Sequence, residues 1–311
     1  GGGGSIGSEL CRQIAERNPK MLVIVDVYEN NIYEIQLELM RKYPDLPIIA
    51  LIGSVRDSRR IDHIFKTYKP DIVYHAAAHK HVPLMEDSPN ESIKNNVMGT
   101  YRTAYVAMVH GVEKFVLIST DKAANPENFY GRSKKLAENL VQNANQKASD
   151  KQLFSIIRMG NILGSRGSVL PLFEEQKKTG ELTVTNENMT RFFISPKQAA
   201  KQVLSSIEIM HGGEIFIPKL KSAKIIDLAK QTAPEAKIRI IGAQKEEKIH
   251  EDLITQSEVQ KTYELSDRYV ILPKKTFEEA NALSQDFTFS SNDEKYIFSK
   301  EELDEIIEEC R

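Results

Sequence analysis

A chain of 311 residues is long enough for one large α/β domain or two unequal ones. Its net charge of −2 argues against a general nucleic-acid binder. No stretch approaches the ~20 apolar residues of a membrane span. The two cysteines, Cys11 and Cys310, stand at opposite ends with no metal-ligand spacing, which excludes a disulfide framework and fits a reducing, cytoplasmic setting.

The chain opens on Gly1-Gly2-Gly3-Gly4-Ser5-Ile6-Gly7 and runs into a helical pattern over 8–14. Glycines 1, 4 and 7 have the G-x-x-G-x-x-G spacing, which makes a tight turn, lets backbone N–H groups approach a pyrophosphate and faces a helix N-terminus toward the anion. A buried-strand run at 21–26 ends in Asp26, about 20 residues beyond the glycines, where a carboxylate accepts hydrogen bonds from an adenosine ribose. This predicts a dinucleotide held by Gly1, Gly4, Ser5, Ile6, Gly7 and Asp26. The acid also repels a 2′-phosphate, which favours NAD over NADP. Such a loop ordinarily follows a central β-strand, and nothing precedes Gly1. The expectation is a fragment that starts inside the motif, with its first strand missing and anything upstream, a membrane segment included, unread.

Further buried strands are predicted at 47–52, 72–75, 115–119 and 154–159, alternating with helices at 32–43, 59–68, 91–110 and 131–148. This β-α-β alternation predicts an α/β fold with a doubly wound parallel sheet and ligands at the carboxyl ends of its strands. Polar and small residues gather at those ends: Asp26, then Ser54-Val55, then Ala76-Ala77-Ala78, then Thr120-Asp121-Lys122. Beyond about residue 159 the pattern loosens. Residues 164–168 and 183–191 read as loops with short strands, and helices at 196–210 and 225–233 alternate with strands at 214–218 and 238–241. Residues 299–311 form an acidic amphipathic helix opened by a Ser299/Glu302 capping box. The expected organisation is a dinucleotide-binding domain over 1–160 and a smaller substrate-binding region over 161–311, interleaved with the sheet.

The densest chemistry lies between Ile118 and Lys134. Tyr130 and Lys134 are spaced i, i+4, on one helix face. An ammonium beside a phenol favours phenolate and brings it toward a useful base; the lysine can also hold a nicotinamide ribose. His79 and His81 lack partners at ligand spacing, so no metal site is expected.

Taken together, several stretches resemble the extended short-chain dehydrogenase/reductases, and within them the UDP-N-acetylglucosamine 4,6-dehydratases of bacterial surface-polysaccharide and glycoconjugate synthesis. They are residues 1–7, Asp26 with Glu29-Asn30-Asn31, residues 75–83, Asn96-Val97-Met98-Gly99-Thr100, residues 119–126, Gly160-Asn161, residues 164–171 and Met189-Thr190-Arg191-Phe192. The resemblance covers nearly the whole chain. It implies cofactor contacts from Ser54, Val55, Ala76, Ala77, Ala78 and Asn96, besides the loop, Asp26, Tyr130 and Lys134. It implies that Tyr130 takes the proton of the sugar 4-hydroxyl as hydride leaves C4. Lys122, where related dehydratases often carry a glutamate, is then the base at C5, and Asp121 donates a proton to the departing 6-hydroxyl. Thr120 and Lys134 complete the catalytic set, and the product is a UDP-4-keto-6-deoxy-N-acetylhexosamine. An acid and a base on adjacent residues suit such an elimination.

Arg191 is expected to fork onto the UDP pyrophosphate, and Lys80, Asn161, Arg166, Ser168, Thr185 and Glu251 to contact sugar, uracil or phosphate. A homo-oligomer is expected. The chain departs from the family pattern where Arg-Pro-Gly-Glu-Lys is usual before a His-Glu pair. Here the residues are Gln244-Lys245-Glu246-Glu247-Lys248-Ile249-His250-Glu251, which leaves Glu251 as that loop's candidate. The C-terminal part looks like a C5-inverting branch and the first half like a C5-retaining one, so the stereochemistry stays open. Two alternatives remain: a UDP-sugar 4-epimerase, which needs no C5 base or C6 acid, and a non-catalytic cofactor-binding regulator. The Asp121-Lys122 pair speaks against the first, and the intact Thr120, Asp121, Lys122, Tyr130, Lys134 set against the second.

Overall fold

A computed structural model describes residues 1–243, 245–273 and 281–311; Gln244 lies outside them. Five parallel strands form the first half: β1 (Leu22–Asp26), β2 (Ile48–Ile52), β3 (Ile72–His75), β4 (Lys114–Thr120) and β5 (Leu153–Met159). β4 is buried along its length after Lys114, and β5 after Leu153, as strands covered by helices on both faces require. The strands β3, β4 and β5 pair in parallel, and the sheet continues through Ile215–Pro218 alongside β5. It ends in the antiparallel strands Arg268–Ile271, Thr262–Glu264 and Asn281–Ala282. Residues from beyond position 160 therefore complete the main sheet, as the interleaved reading expects.

Among the described residues, β1 and β2 pair with each other and not with β3, β4 or β5, and the glycine loop lies between the two groups. The Gly1 amine and the Gly2 N–H both donate to Val25 O, at 2.8 and 3.1 Å. On the other side, a Cβ on Gly1 would come within 2.5 Å of Ala77 N, beyond the end of β3.

Helix ends follow local chemistry. Asp57, Asn128 and Ser195 each accept a backbone N–H with the side chain and open the helices Ser58–Tyr68, Phe129–Lys147 and Pro196–Ile209. The predicted Ser299 capping box is present and starts Lys300–Glu309, which buries Leu303, Ile306 and Ile307. The single helix expected over 91–110 is instead three pieces: Pro89–Ser92, a π-helical turn Ile93–Met98, and Gly99–Val109. Gly99 explains the close approach there, since a Cβ would lie 2.6 Å from Val55 Cγ2. The wide turn directs the Asn96 side chain inward. Helices at Val82–Asp87 and Val169–Lys177 were not anticipated.

A second apolar cluster, containing Leu170, Phe173, Leu182, Met189, Phe193, Leu228 and Ile306, lies apart from the main core. Among the described residues, no helix is long and apolar enough to cross a membrane, and no group of three or more His, Cys, Asp or Glu could hold a metal ion.

Candidate active site

A cavity of about 1080 Å³ runs along the carboxyl ends of the strands. At one end the glycine loop forms a cradle that side chains would fill. A Cβ on Gly7 would fall 2.0 Å from Gly1 O, whereas one on Gly4 would meet only Gly1 O, at 3.3 Å. The helix Ser5–Ala15 that follows has neither a side-chain cap nor an acid in its first turn, so its first N–H groups are left for an anion in the cavity that Gly4, Ser5, Ile6 and Gly7 line. Asp26 gathers the surrounding backbone: its Oδ2 accepts from Gly3 N at 2.9 Å and its Oδ1 from Val27 N and Tyr28 N at 2.7 and 3.1 Å. The predicted ribose acceptor therefore also holds the loop's shape. These residues fit a dinucleotide.

Val55 and Ala76, Ala77 and Ala78 line the same cavity. Two of the predicted cofactor residues do not. Ser54 lines a neighbouring groove with Arg56 and Arg102, its Oγ accepting from Arg56 N. Asn96 is almost fully buried; it accepts from His79 N at 2.8 Å and donates to His79 O and Ser133 Oγ at 2.9 and 3.0 Å. It braces the segment after β3 against the Phe129–Lys147 helix, and Asn95 is the residue of that turn that reaches the cavity.

Tyr130 and Lys134 sit in the first turns of the Phe129–Lys147 helix, next to the turn Asp121–Ala123 that ends β4. Gly131 permits the contact, because a Cβ there would lie 2.3 Å from Lys122 O. The expectation that Lys134 makes the phenol acidic is corrected. Burial pushes the Tyr130 phenol up to about 12, and the cation pulling against it is Lys122, helped by the Thr120 hydroxyl. Lys134 is itself brought down to about 8 by burial, and its Nζ donates to Ile118 O at 2.7 Å.

Lys122 faces the cavity, but Asp121 does not. Asp121 is fully buried; its Oδ1 accepts from the Thr120 hydroxyl at 2.8 Å, Lys122 N at 3.0 Å and Lys122 Nζ at 3.0 Å. It orients the ammonium from behind, which leaves it poorly placed as the acid for a departing hydroxyl. Asn161 Oδ1 accepts from the same Nζ at 3.0 Å, and Glu251 Oε1 lies 3.4 Å from it. Burial disfavours the Lys122 charge, yet Asp121 and Glu251 together outweigh it and hold its pKa above that of an ordinary lysine.

Beside the glycine loop, Lys80 Nζ donates to Arg166 O at 2.8 Å, while the Arg166 guanidinium donates to Gly3 O at 2.5 Å. These bonds tie the 164–168 loop to the glycine loop. Ser168 lines the cavity with a buried Oγ that has no hydrogen-bond partner among the described residues, an open position for a ligand. Arg191 also lines it, but its guanidinium already donates to Thr190 O, Ile249 O and Lys248 O at 2.7, 3.0 and 2.7 Å. It holds the 247–251 segment rather than standing free for a pyrophosphate. Thr185 is outside the cavity lining, its hydroxyl donating to Met189 Sδ. Sequence reasoning missed Asn95 and Lys248, which line the cavity. The Lys-Ile-His-Glu run carrying Lys248 was the available signal; nothing local marked Asn95.

The chain is 42% identical over 276 residues to the capsular polysaccharide biosynthesis protein CapD of Staphylococcus aureus, covering 85% of this chain but 46% of that relative. The chain thus spans about half the length of that curated relative. It is 38% identical over 324 residues to a protein of Campylobacter jejuni named UDP-N-acetylglucosamine 4,6-dehydratase (inverting), covering 99% and 95%. Among solved structures, Pen from Bacillus thuringiensis superposes with a TM-score of 0.90 at 32% identity, covering 100% and 96%. The profile of the polysaccharide biosynthesis protein family matches residues 1–273, and the chain belongs to that family.

Proposed function

We propose that this chain is a nucleotide-sugar 4,6-dehydratase that converts UDP-N-acetylglucosamine to a UDP-4-keto-6-deoxy-N-acetylhexosamine for surface polysaccharide or glycoconjugate synthesis. The observation that carries the reading is the convergence of Tyr130, Thr120, Lys122 and Glu251 on one cavity that the glycine cradle also lines. A dinucleotide bound there supplies the hydride acceptor, the hydride donor and a positive charge beside the Tyr130 phenol. Tyr130 takes the 4-hydroxyl proton, the resulting 4-ketone acidifies C5–H, and Lys122, which lines the same cavity, takes the C5 proton. We infer NAD rather than NADP, because an acid such as Asp26 at the end of β1, in a cavity the glycine loop also lines, would repel a 2′-phosphate. Residues 1–160 hold mainly the cofactor and 161–311 mainly the sugar nucleotide. Inversion at C5 is supported by the Campylobacter jejuni relative, whose name carries it and whose length this chain nearly matches.

We also propose a cytoplasmic homo-oligomer. Tyr101, Tyr105, Val109 and Leu136 are exposed on two packed helices, an apolar face suited to a second copy, and both cysteines are free. Light scattering should report a multimer that Tyr101→Glu with Tyr105→Glu dissociates; a monomeric parent would sink this part.

The decisive experiment is incubation with UDP-N-acetylglucosamine in D2O, followed by NMR. A 6-deoxy-4-keto product with deuterium at an inverted C5 is expected. Formation of the C4 epimer without water loss would establish the epimerase alternative, and no turnover would favour a binding protein. Asp26→Ala should weaken NAD binding measured by calorimetry; unchanged affinity would remove the acid from the cofactor site.

A further inference from the structure

Lys122 carries a difficulty as a base. Its ammonium is surrounded by acceptors: Asp121 Oδ1 and Oδ2 at 3.0 and 3.2 Å, Asn161 Oδ1 at 3.0 Å and Glu251 Oε1 at 3.4 Å. A fully hydrogen-bonded ammonium cannot take a proton from carbon. One neighbour must first accept a proton from it, and the three differ in capacity. Asn161 offers an amide oxygen, which is a negligible base. Asp121 already accepts from the Thr120 hydroxyl and Lys122 N, and it does not line the cavity.

Glu251 is different. It is almost fully buried and lines the cavity, and among the described residues its Oε2 has no hydrogen-bond partner. Lys248 Nζ lies 4.0 Å from that oxygen. A buried carboxylate oxygen without a donor is costly as an anion and is relieved by a proton. The charged groups facing it are Lys122, Asp121, Arg191 and Lys248. Burial, aided by Asp121, raises its proton affinity above that of an ordinary glutamate, against the pull of Lys122, Arg191 and Lys248. His250, next in the chain, is turned to Thr190, with Nδ1 2.9 Å from its hydroxyl.

We propose that Glu251 accepts the proton of Lys122, so that Lys122 meets C5–H as a neutral amine, and that Glu251 then delivers this proton to the departing 6-hydroxyl. The proposal rests on the dehydratase reading and deepens it. The protons balance. Lys122–NH3+ and Glu251–COO− become Lys122–NH2 and Glu251–COOH. The amine takes the C5 proton and becomes ammonium again. The C5 electron pair forms the C5–C6 double bond as the C6–O bond breaks, and the Glu251 proton leaves with that oxygen as water. Both residues return to their resting charges, and no oxidant or reductant enters the step. Asp121 positions Lys122 throughout.

The test compares the parent, Glu251→Gln and Glu251→Asp on UDP-N-acetylglucosamine in D2O. Melting temperature and UDP affinity are measured beside kcat, KM and deuterium entry at C5. Glu251→Gln should lower kcat about 10²–10⁴-fold with little change in KM. It should let the 4-keto sugar accumulate and slow deuterium entry at C5. Glu251→Asp should fall between it and the parent. The carboxylate is the active form, so the parent's kcat should fall as pH drops through the Glu251 pKa, and this acid limb should vanish in Glu251→Gln.

Elimination at the parental rate in Glu251→Gln, a loss confined to KM, or deuterium entry at C5 as fast as in the parent would each overturn the proposal. Should Glu251→Gln fail to fold, the parent's acid limb and the Glu251→Asp rates decide; a parent without the limb, or an aspartate variant as fast as the parent, overturns it. Failure of the dehydratase reading itself shows in the parent, as absence of any 6-deoxy product, whatever the variants do.

Discussion

At the scale of single residues, the site depends on how burial and charge divide labour among a few titratable groups. Tyr130 has the chemistry of a base but, in this pocket, the proton affinity of a deeply buried phenol, near 12. Turnover should therefore rise with pH on the acid side of the phenol's titration in the complex, since the phenolate is the active form. Tyr130→Phe should lower kcat by about 10²–10⁴ while KM barely changes, because the lost proton transfer acts only in the transition state. A steady-state comparison checks this; near-parental turnover would mean that another group takes the proton. Lys122→Ala leaves Tyr130 in place and should permit oxidation at C4 without water loss, so NMR should find 4-keto sugar and no 6-deoxy product. Dehydration at a comparable rate would reduce Asp121-Lys122 to a structural ion pair. The i, i+4 spacing brought Tyr130 and Lys134 to one helix face, as sequence reasoning expects. It did not reveal that the charge of Lys122 acts on the phenol, because that depends on how the turn at 121–123 packs across the start of the helix.

At the scale of elements, the segment carrying Glu251 is held by bonds that no local pattern announces. Arg158 on β5 is completely buried. It pairs with Glu138 Oε2 at 2.8 Å and Glu258 Oε2 at 2.9 Å, and its Nη1 donates to Leu253 O at 2.9 Å. Burial works against the Glu258 charge, yet the hydrogen bonds from Arg158 and the charge of Lys135 hold its carboxyl far below the usual range. This network connects the sheet, the catalytic helix and the 251–258 segment. Arg158→Met should destabilise the fold by about 3–5 kcal/mol, since removing one partner leaves buried charges uncompensated. Denaturant unfolding tests this. The triple variant Glu138→Gln, Arg158→Met, Glu258→Gln should recover part of the loss, and no recovery would show that packing, not charge, is the issue.

At the scale of the molecule, acid should unfold this protein earlier than its composition suggests. His75 lies at the end of β3, fully enclosed, with Nε2 2.9 Å from Thr100 Oγ1, and burial brings its pKa down to about 3. Its reference value is 6.5, so between these values the unfolded chain binds the proton and the folded chain does not. Stability is then complete above the unfolded value and declines as pH falls toward the folded one. Glu258 acts in the same direction, because its folded pKa lies below the unfolded one and its contribution is lost on acidification. Melting temperatures across this range should fall for the parent, and fall less for His75→Gln. Equal slopes would mean that the histidine is not the responsible group.

The sequence by itself determined the β-α-β order, the glycine cradle with Asp26, the Ser299 cap and the helix bearing Tyr130 and Lys134. Each is written in periodicity or spacing within a few turns of chain. Tertiary structure decided what distance along the chain conceals. It opened a π-turn whose Asn96 bonds His79. It turned Asp121 away from the cavity, committed Arg191 to backbone carbonyls, and set Glu251 beside Lys122 with one oxygen unpaired. Charge and hydrogen-bond partners in a buried site come from segments far apart in the chain. Their protonation follows from which segments share a cavity, and that is settled only when the chain packs.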